Sequence, residues 1–188
     1  PDTPVDVFHT NSLEVLREDI PGIARAGNIL LSVRQLNSIM IVDLEEEESI
    51  WYWGQQRIQR QHHASVLKNG NLLLLDNGTF REHSRGIELN PRSEEIVWSY
   101  GSRKNQRFFC TFRGGIQRLP NGNTLITNAD QDVAFELTPD KRKVWSLTLR
   151  APNSGGDDDG SQQIMYRMRR LPLEHNFVQR LMQLESQT

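Results

Sequence analysis

The feature that most constrains the fold of this 188-residue chain is an internal repeat of 47 residues. Trp51, Trp98 and Trp145 are separated by that interval, and each tryptophan follows a β-branched apolar residue. Gly54 and Gly101 repeat the same spacing. Repeats of this length mark architectures in which each unit buries its apolar surface against its neighbours. The spacing therefore indicates three copies of one structural unit.

Each copy also contains a tight turn followed by an apolar run. The turns are Ala-Gly-Asn at 26–28 and Asn-Gly-Asn at 69–71 and 121–123. Asn-Gly favours hairpins because both residues tolerate the positive φ that a tight turn needs. With a middle strand and the strand that carries the tryptophan, each copy holds four short strands. This content predicts an all-β fold made of β-propeller blades. The blades are predicted at about residues 8–54, 61–101 and 112–147, within a repeat region of 1–150.

Three blades are too few for a closed propeller, since known rings use about four to eight. We therefore expect an incomplete ring, which another chain or a missing N-terminal segment of polypeptide completes. The alternative that the sequence leaves open is an ordinary β-sandwich with chance internal similarity.

The character of the sequence changes after the third copy. Residues 151–163 are rich in Gly, Asp and Ser and are predicted to form a flexible loop. Their Asp run lacks the spacing of an EF-hand calcium loop. The remaining residues, 164–188, are predicted to form a C-terminal strand over 164–170 and a short amphipathic helix over 174–184.

Composition excludes several classes of function. The chain has 22 Lys and Arg against 24 Asp and Glu, which gives a net charge of -2 and argues against a nucleic-acid partner. No window approaches the roughly 18 apolar residues of a membrane span. Cys110 is the only cysteine, so no intrachain disulfide or CxxC zinc box exists. No acidic residues are spaced to form a hard metal site, and no Gly-rich phosphate loop precedes a helix, so we predict no metal and no cofactor.

Polar residues recur near the first strand of each blade, which in a propeller lies nearest the axis. The residues predicted to converge on an axial pocket are His9, Arg34, His62, Asn77 and Arg113. Histidines can act as nucleophile and proton carrier near neutral pH, and arginines can bind an oxyanion through paired donors. This set favours a sulfate-like or phosphate-like group over a metal-bound water. The alternative is that each histidine is a hydrogen-bonded structural residue and that Arg34 bridges two blades.

An ordered set of motifs over residues 6–172 resembles the PAPS-independent arylsulfotransferases. The motifs are His-x-Asn-Ser at 9–12, Ser-x-Arg at 32–34, Gln-His at 61–62, Asp-Asn-Gly at 76–78, Ser-Arg at 84–85, Val-Trp-Ser-Tyr-Gly at 97–101 and Tyr-Arg at 166–167. That family forms six-bladed propellers that move a sulfuryl group from an aryl sulfate to a phenol without a nucleotide cofactor. This chain resembles the C-terminal half of such a propeller.

The resemblance implies roles for individual residues. His62 would attack sulfur and carry the sulfuryl group as a sulfohistidine, while Arg34 and His9 would stabilise the sulfuryl oxygens and assist proton transfer. The substrate-binding residues would be Asn77, Arg85 and Arg113. The partners would be an aryl sulfate donor and a phenolic acceptor, and the location would be periplasmic or otherwise extracytoplasmic.

Two other functions remain open on the sequence. The chain could be a non-catalytic propeller that serves as an interaction or structural subunit of a larger assembly. It could also be a protein that binds sulfated or phenolic ligands in the same pocket without a covalent step.

Overall fold

A computed structural model describes residues 6–149 and 165–185. In these residues twelve strands form three four-stranded antiparallel sheets, each with its strands in chain order. The first sheet contains β1 (Thr10–Val15), β2 (Ile29–Val33), β3 (Ser38–Asp43) and β4 (Glu48–Trp53). The second contains β5 (His62–Val66), β6 (Leu72–Asp76), β7 (Arg85–Asn90) and β8 (Glu95–Tyr100). The third contains β9 (Gly115–Arg118), β10 (Thr124–Asn128), β11 (Val133–Leu137) and β12 (Lys143–Thr148).

The predicted all-β architecture of propeller blades is confirmed, and we call the three sheets blades 1, 2 and 3. The predicted turns lie between the first and second strand of each blade. Gly27, Gly70 and Gly122 have φ values of 93°, 80° and 84° there, a conformation that residues with a Cβ rarely adopt. The turns thus fix the pairing of each first strand with the apolar strand that follows it.

The blades pack face to face, and their first strands lie side by side. β1 contacts β5, and β5 contacts β9, so these strands line a common axis. One apolar cluster joins blades 1 and 2, and a second joins blades 2 and 3. Over the described ranges the three sheets do not close into a ring.

The repeated tryptophans join each blade to the next. Trp51 of blade 1 donates its indole N–H to the carbonyl of Pro91 in blade 2, at 3.2 Å. Trp98 of blade 2 makes the same bond to Pro139 in blade 3, at 3.4 Å. The 47-residue interval therefore reflects one hydrogen bond repeated at both interfaces between blades.

The predicted C-terminal strand is wrong. Residues 165–170, which we call the C-terminal segment, have no regular secondary structure. Their backbone bonds to side chains of blade 3: Met168 N–H donates to Thr127 Oγ1 at 2.9 Å, and Arg170 N–H donates to Gln117 Oε1 at 2.9 Å. A strand needs a ladder of backbone hydrogen bonds to its neighbour, and in the described part of the chain a single one reaches this segment, from the Gly114 N–H to the Tyr166 carbonyl at 3.2 Å.

The C-terminal segment nevertheless takes the place of a fourth first strand. At each interface, a side chain of one blade accepts a hydrogen bond from a backbone N–H of the next inner segment. The three N–H groups occupy equivalent positions in β5, β9 and the C-terminal segment. These bonds are Ala64 N to Ser12 Oγ (3.1 Å), Ile116 N to His63 Nδ1 (3.0 Å) and Met168 N to Thr127 Oγ1 (2.9 Å).

An arginine–glutamate pair aligns the C-terminal segment with β9 in the same way. Arg118 on β9 bonds Glu88 of blade 2 at 2.9 Å and lies 5.3 Å from the ring centre of Trp98. The corresponding residues at the outer face of blade 3 are Arg170, Glu136 and Trp145, with a ring distance of 5.4 Å. The segment therefore reproduces the contacts that one blade makes with the next.

The predicted helix is present as α1 (Asn176–Glu185), displaced by one to two residues from the predicted bounds. The loop predicted at 151–163, with its Asp run, lies outside the described residues.

Candidate functional site

His62 begins β5, and its imidazole is held on both sides. The side chain is 3% exposed. Its Nδ1 lies 2.8 Å from Asn77 Oδ1 and 3.1 Å from the Arg60 carbonyl. Its Nε2 lies 3.2 Å from the backbone N of Arg113. Of the predicted site residues, Asn77 and Arg113 are therefore direct neighbours of His62.

The hydrogen bonds of Asn77 fix the tautomer of this imidazole. Asn77 Nδ2 donates to the carbonyls of Cys110, at 2.8 Å, and Arg113, at 3.1 Å, so its Oδ1 is the atom that faces His62. An oxygen can only accept, which assigns the proton to Nδ1 of His62. Nε2 then carries the lone pair, which accepts the Arg113 N–H.

Burial lowers the pKa of His62 to about 4, against the opposing effect of its hydrogen bond to Asn77. The positive charges of Arg34 and Arg167 lower the pKa further. The imidazole is consequently neutral at physiological pH, which is the form that can act as a nucleophile.

Three of the motifs that resemble those of arylsulfotransferases are linked by buried or partly buried hydrogen bonds. Gln61, fully buried beside His62, donates through Nε2 to the Ser38 carbonyl at 2.7 Å and to Ser32 Oγ at 3.2 Å. Its own carbonyl accepts a bond of 2.7 Å from Asn11 Nδ2. The His-x-Asn-Ser, Ser-x-Arg and Gln-His motifs thus meet through the residues that lie beside the predicted catalytic ones.

His9 and Arg34 lie together at the same end of the inner strands. The Arg34 N–H donates to the His9 carbonyl at 3.3 Å. The His9 side chain, 47% exposed, contacts the carboxylate of Asp6, which also accepts the His9 backbone N–H at 2.7 Å. Those hydrogen bonds lower the pKa of Asp6, and Arg34 contributes to the same shift. Arg34 therefore acts electrostatically on both Asp6 and His62.

Arg60 is a functional candidate that the sequence reasoning missed. Burial lowers the pKa of Arg34, and the positive charge of Arg60 lowers it further, so the two cations act on each other electrostatically. The Arg60 guanidinium lies 5.8 Å from the ring centre of Phe80, and its carbonyl holds His62 Nδ1. The available sequence signal was that Arg60 lies two residues before His62, the residue that begins β5.

The remaining predicted ligands differ in their surroundings. The Arg113 guanidinium lies over two aromatic rings, 4.9 Å from that of Phe112 and 5.7 Å from that of Tyr166. Arg85 is instead held by Asp76, with an N–O distance of 2.6 Å, and by the Arg57 carbonyl at 2.8 Å. These bonds give Arg85 a structural role, and no contact joins it to His62 in the described residues.

Cys110 is a buried packing residue beside this site. Burial raises the pKa of its thiol to about 11, so the reactive thiolate is disfavoured. No group of three or more His, Cys, Asp or Glu side chains suited to a metal ion occurs among the residues described. No described helix has both the length and the apolar character to cross a membrane.

Comparison with solved structures defines the class of fold. The described blades match a protein of unknown function from Bacteroides caccae (TM-score 0.55, 18% identity, covering 78% of this chain and 48% of that one). They also match the Dos1 propeller (TM-score 0.56, 7% identity, 78% and 37% covered) and the Myceliophteria thermophila Cps50 (Swd1) β-propeller domain (TM-score 0.51, 10% identity, 76% and 44% covered). These likenesses establish β-propeller blades, and the chain spans less than half of each of these structures.

Comparison with protein families defines the particular group. The model of the arylsulfotransferase (ASST) family matches residues 1–150, which contain all three blades and every predicted site residue. The chain therefore belongs to the arylsulfotransferase family. No curated protein matches the chain.

Proposed function

We propose that this chain supplies the nucleophile of an arylsulfotransferase, with His62 accepting the sulfuryl group of an aryl sulfate and passing it to a phenol. The observation that carries the proposal is the buried, neutral imidazole of His62, whose Nε2 holds a lone pair because Asn77 Oδ1 accepts a bond from Nδ1–H. The three family motifs meet beside it at Gln61, and the charge of Arg34 acts on the imidazole.

In the first step, the Nε2 lone pair attacks sulfur and the bond between sulfur and the aryl oxygen breaks, so that a phenolate leaves. The imidazole then carries a positive charge, which the bond from Nδ1–H to Asn77 Oδ1 stabilises. Arg34 stabilises the negative sulfuryl oxygens, and His9 exchanges the proton with the phenolic oxygen. In the second step a phenol attacks the same sulfur, and the neutral imidazole is regenerated.

Attack requires that the Arg113 N–H release Nε2. Arg113 and Gly114 both have positive φ values, 63° and 79°. A Cβ at Gly114 would lie 2.7 Å from the Thr127 carbonyl, so this backbone is closely held. Since this backbone is held, we propose that the His62 imidazole shifts when substrate enters, and that the Arg113 N–H then becomes a donor to a sulfuryl oxygen.

The test is release of 4-nitrophenol from 4-nitrophenyl sulfate in the presence of a phenol. His62→Ala should lower kcat/KM by roughly 10³-fold or more, as expected for loss of a nucleophile. His175→Ala, which removes a histidine outside the site, should leave it unchanged. The acid limb of the kcat/KM profile should lie near pH 4 rather than 6.5, because it reports the pKa of His62 in the free enzyme. Equal turnover by the His62→Ala variant would refute the proposal.

A second candidate is a non-catalytic propeller subunit. The observation that favours it is that both ring nitrogens of His62 already have protein partners. In that case His62 only joins blades 2 and 3. Its replacement should lower the stability of the chain, and the wild-type chain should show no sulfuryl transfer.

We also propose that a further blade covers the open face of blade 1 and helps to complete the ring. The equivalent face of blade 2 is formed by Leu72, Leu74, Ile87 and Leu89, all of which blade 1 buries completely. Since the same face of blade 1 is apolar, another blade of the same kind fits it.

A further inference from the structure

A cavity of about 730 Å³ lies between the inner strands and the C-terminal segment. We call it the axial cavity, because β1, β5 and β9 all line it. Its size falls within the range of pockets that bind small molecules, about 300–1,000 Å³. His63 lines it, whereas His62, the adjacent residue, points to the site described above.

The charged lining of the axial cavity is mainly positive. Four arginines, Arg17, Arg118, Arg167 and Arg169, share it with one carboxylate, that of Glu14. Arg118 is neutralised by Glu88, so three guanidinium groups face the Glu14 carboxylate. The net charge of the lining is therefore positive.

Arg167 is the most constrained of these cations. Burial lowers its pKa, and the charge of Arg169 lowers it as well, so the two guanidinium groups repel each other. Its Nε is buried without a hydrogen-bond partner in the described residues. Its side chain crosses Gly115, where an added Cβ would lie 2.8 Å from Arg167 Cγ. The glycine thus provides the space that brings this donor onto the axis.

His63 adds a neutral donor to the same lining. Its Nδ1 accepts the Ile116 N–H at 3.0 Å, which leaves the proton on Nε2. Burial lowers the pKa of His63 to about 3, and Arg167 and Arg169 lower it further, so the ring stays neutral. The cavity therefore combines guanidinium groups that have no ion-pair partner among the described residues with an imidazole N–H, a set suited to a tetrahedral oxyanion.

We infer that the axial cavity is a second anion site, which binds a sulfate-like or phosphate-like group through Arg167 and Arg169. This site lies on the side of β5 that His63 lines, whereas the proposed sulfuryl group is on the adjacent His62. In the context of the proposed function, on which this part of the inference rests, it would hold a second acidic group of the donor or acceptor. The substrates would then be aromatic compounds with two acidic groups.

The binding site is tested first, without any assay of activity. The side-chain Nε–H signals of the arginines are followed by NMR during titration with sodium sulfate, and separately with sodium phosphate, at constant ionic strength. Sulfate should shift the Arg167 and Arg169 signals in a saturable manner. Arg167→Gln and Arg169→Gln should each weaken binding by about 10-fold or more. Arg142→Gln, which removes an exposed guanidinium on the hairpin of blade 3, is the matched control and should change the Kd by less than about 2-fold.

The His62→Ala variant separates this inference from the proposed function. Sulfate should still shift Arg167 in that variant with an unchanged Kd, even if no transferase activity exists. Absence of saturable shifts at Arg167 and Arg169, or equal weakening by Arg142→Gln, would overturn the anion site. Circular dichroism verifies that each variant is folded, and because Arg169 is exposed, its replacement tests the site even if Arg167→Gln does not fold.

The chemical class of the ligand is tested with aromatic probes. Benzene-1,3-disulfonate should bind at least about 10-fold more tightly than benzenesulfonate, and Arg167→Gln should abolish the difference. Equal affinity of the two probes for the wild-type chain would overturn the assignment of substrates with two acidic groups.

Discussion

The two end blades of the array differ in how far their outer faces are buried: that of blade 1 is exposed, and that of blade 3 is covered. On the open face of blade 1, Leu13 is 61% exposed and Val15 is 51% exposed, whereas Ile116, which corresponds to Leu13 in blade 3, is 1% exposed. The outer face of blade 3 is covered by the C-terminal segment, with Met165 only 5% exposed. A single extended segment can therefore satisfy the inner part of a blade face that otherwise needs a whole blade.

The cover on blade 3 is incomplete at its outer edge. Trp51 and Trp98 each find a carbonyl on the next blade, but Trp145 receives only the guanidinium of Arg170, and no acceptor for its N–H lies in the described part of the chain. The C-terminal segment thus replaces the first strand of a fourth blade and not its outer strands.

The largest expected effect is a difference in stability between truncations on a covered blade face and on the exposed one. Ile116→Ala should lower the free energy of unfolding by about 2–5 kcal/mol, because it leaves a cavity between blades 2 and 3. Leu13→Ala at the corresponding place on blade 1 should cost less than about 0.5 kcal/mol. Urea unfolding of both variants measures the contrast, and a similar cost at the two positions would mean that the face of blade 1 is not bare in solution.

The cover provided by the C-terminal segment should also be measurable. Met165→Ala should destabilise the chain by about 2 kcal/mol, the lower end of the range for a buried Met, because only one side of the segment is packed. The same urea experiment, with Met182→Ala on the exposed face of α1 as control, tests this. An unchanged midpoint in Met165→Ala would show that the segment does not stabilise blade 3.

The two equivalent charged pairs should differ in strength. A double-mutant cycle at Glu88 and Arg118 should give a coupling of about 1 kcal/mol, because both side chains are largely buried. The cycle at Glu136 and Arg170 should give about half of that, because the Arg170 side chain is 44% exposed. Stronger coupling at Glu136 would indicate that the C-terminal segment is held more firmly than a regular blade interface.

The smallest effect concerns the pH dependence of the cover. Hydrogen bonding to Asn123, followed by the effect of Arg170, lowers the pKa of Glu136 below its ordinary value of 4.5. The unfolded chain therefore binds a proton at this site before the folded chain does, and stability should fall as the pH drops below about 4.5. Glu136→Gln should make the unfolding midpoint less dependent on pH in that range. A steeper dependence in the variant would contradict the assigned direction of the shift.

The repeat in the sequence was sufficient to predict the blades, since turn residues and tryptophan spacing are local signals. The C-terminal strand was mispredicted for a physical reason. An extended, partly apolar stretch such as 165–170 looks the same in sequence whether its partner is a strand or a set of side chains on blade 3. Only the three-dimensional position of Thr127 and Gln117 decides between the two.

The candidate site was also only partly predictable from the sequence. The motif predicted His62, but its burial and the occupation of Nε2 depend on the backbone of Arg113, which lies 51 residues away. Arg85 was predicted as a ligand from its place in a motif, whereas its cross-strand partner Asp76 holds it within blade 2. Arg167 reaches the axial cavity only because the C-terminal segment lies beside β9.

Peptide mass spectrometry tests the proposed role of His62 as acceptor of the sulfuryl group more directly than any other measurement. The folded chain is incubated with 4-nitrophenyl sulfate at mildly alkaline pH, where sulfohistidine survives better, then digested and compared with His62→Ala and His175→Ala. We expect a sulfuryl adduct on the peptide that contains His62, retained in His175→Ala and lost in His62→Ala. An adduct on another residue, or none on a chain shown to be folded, would contradict the claim and favour a non-catalytic propeller subunit.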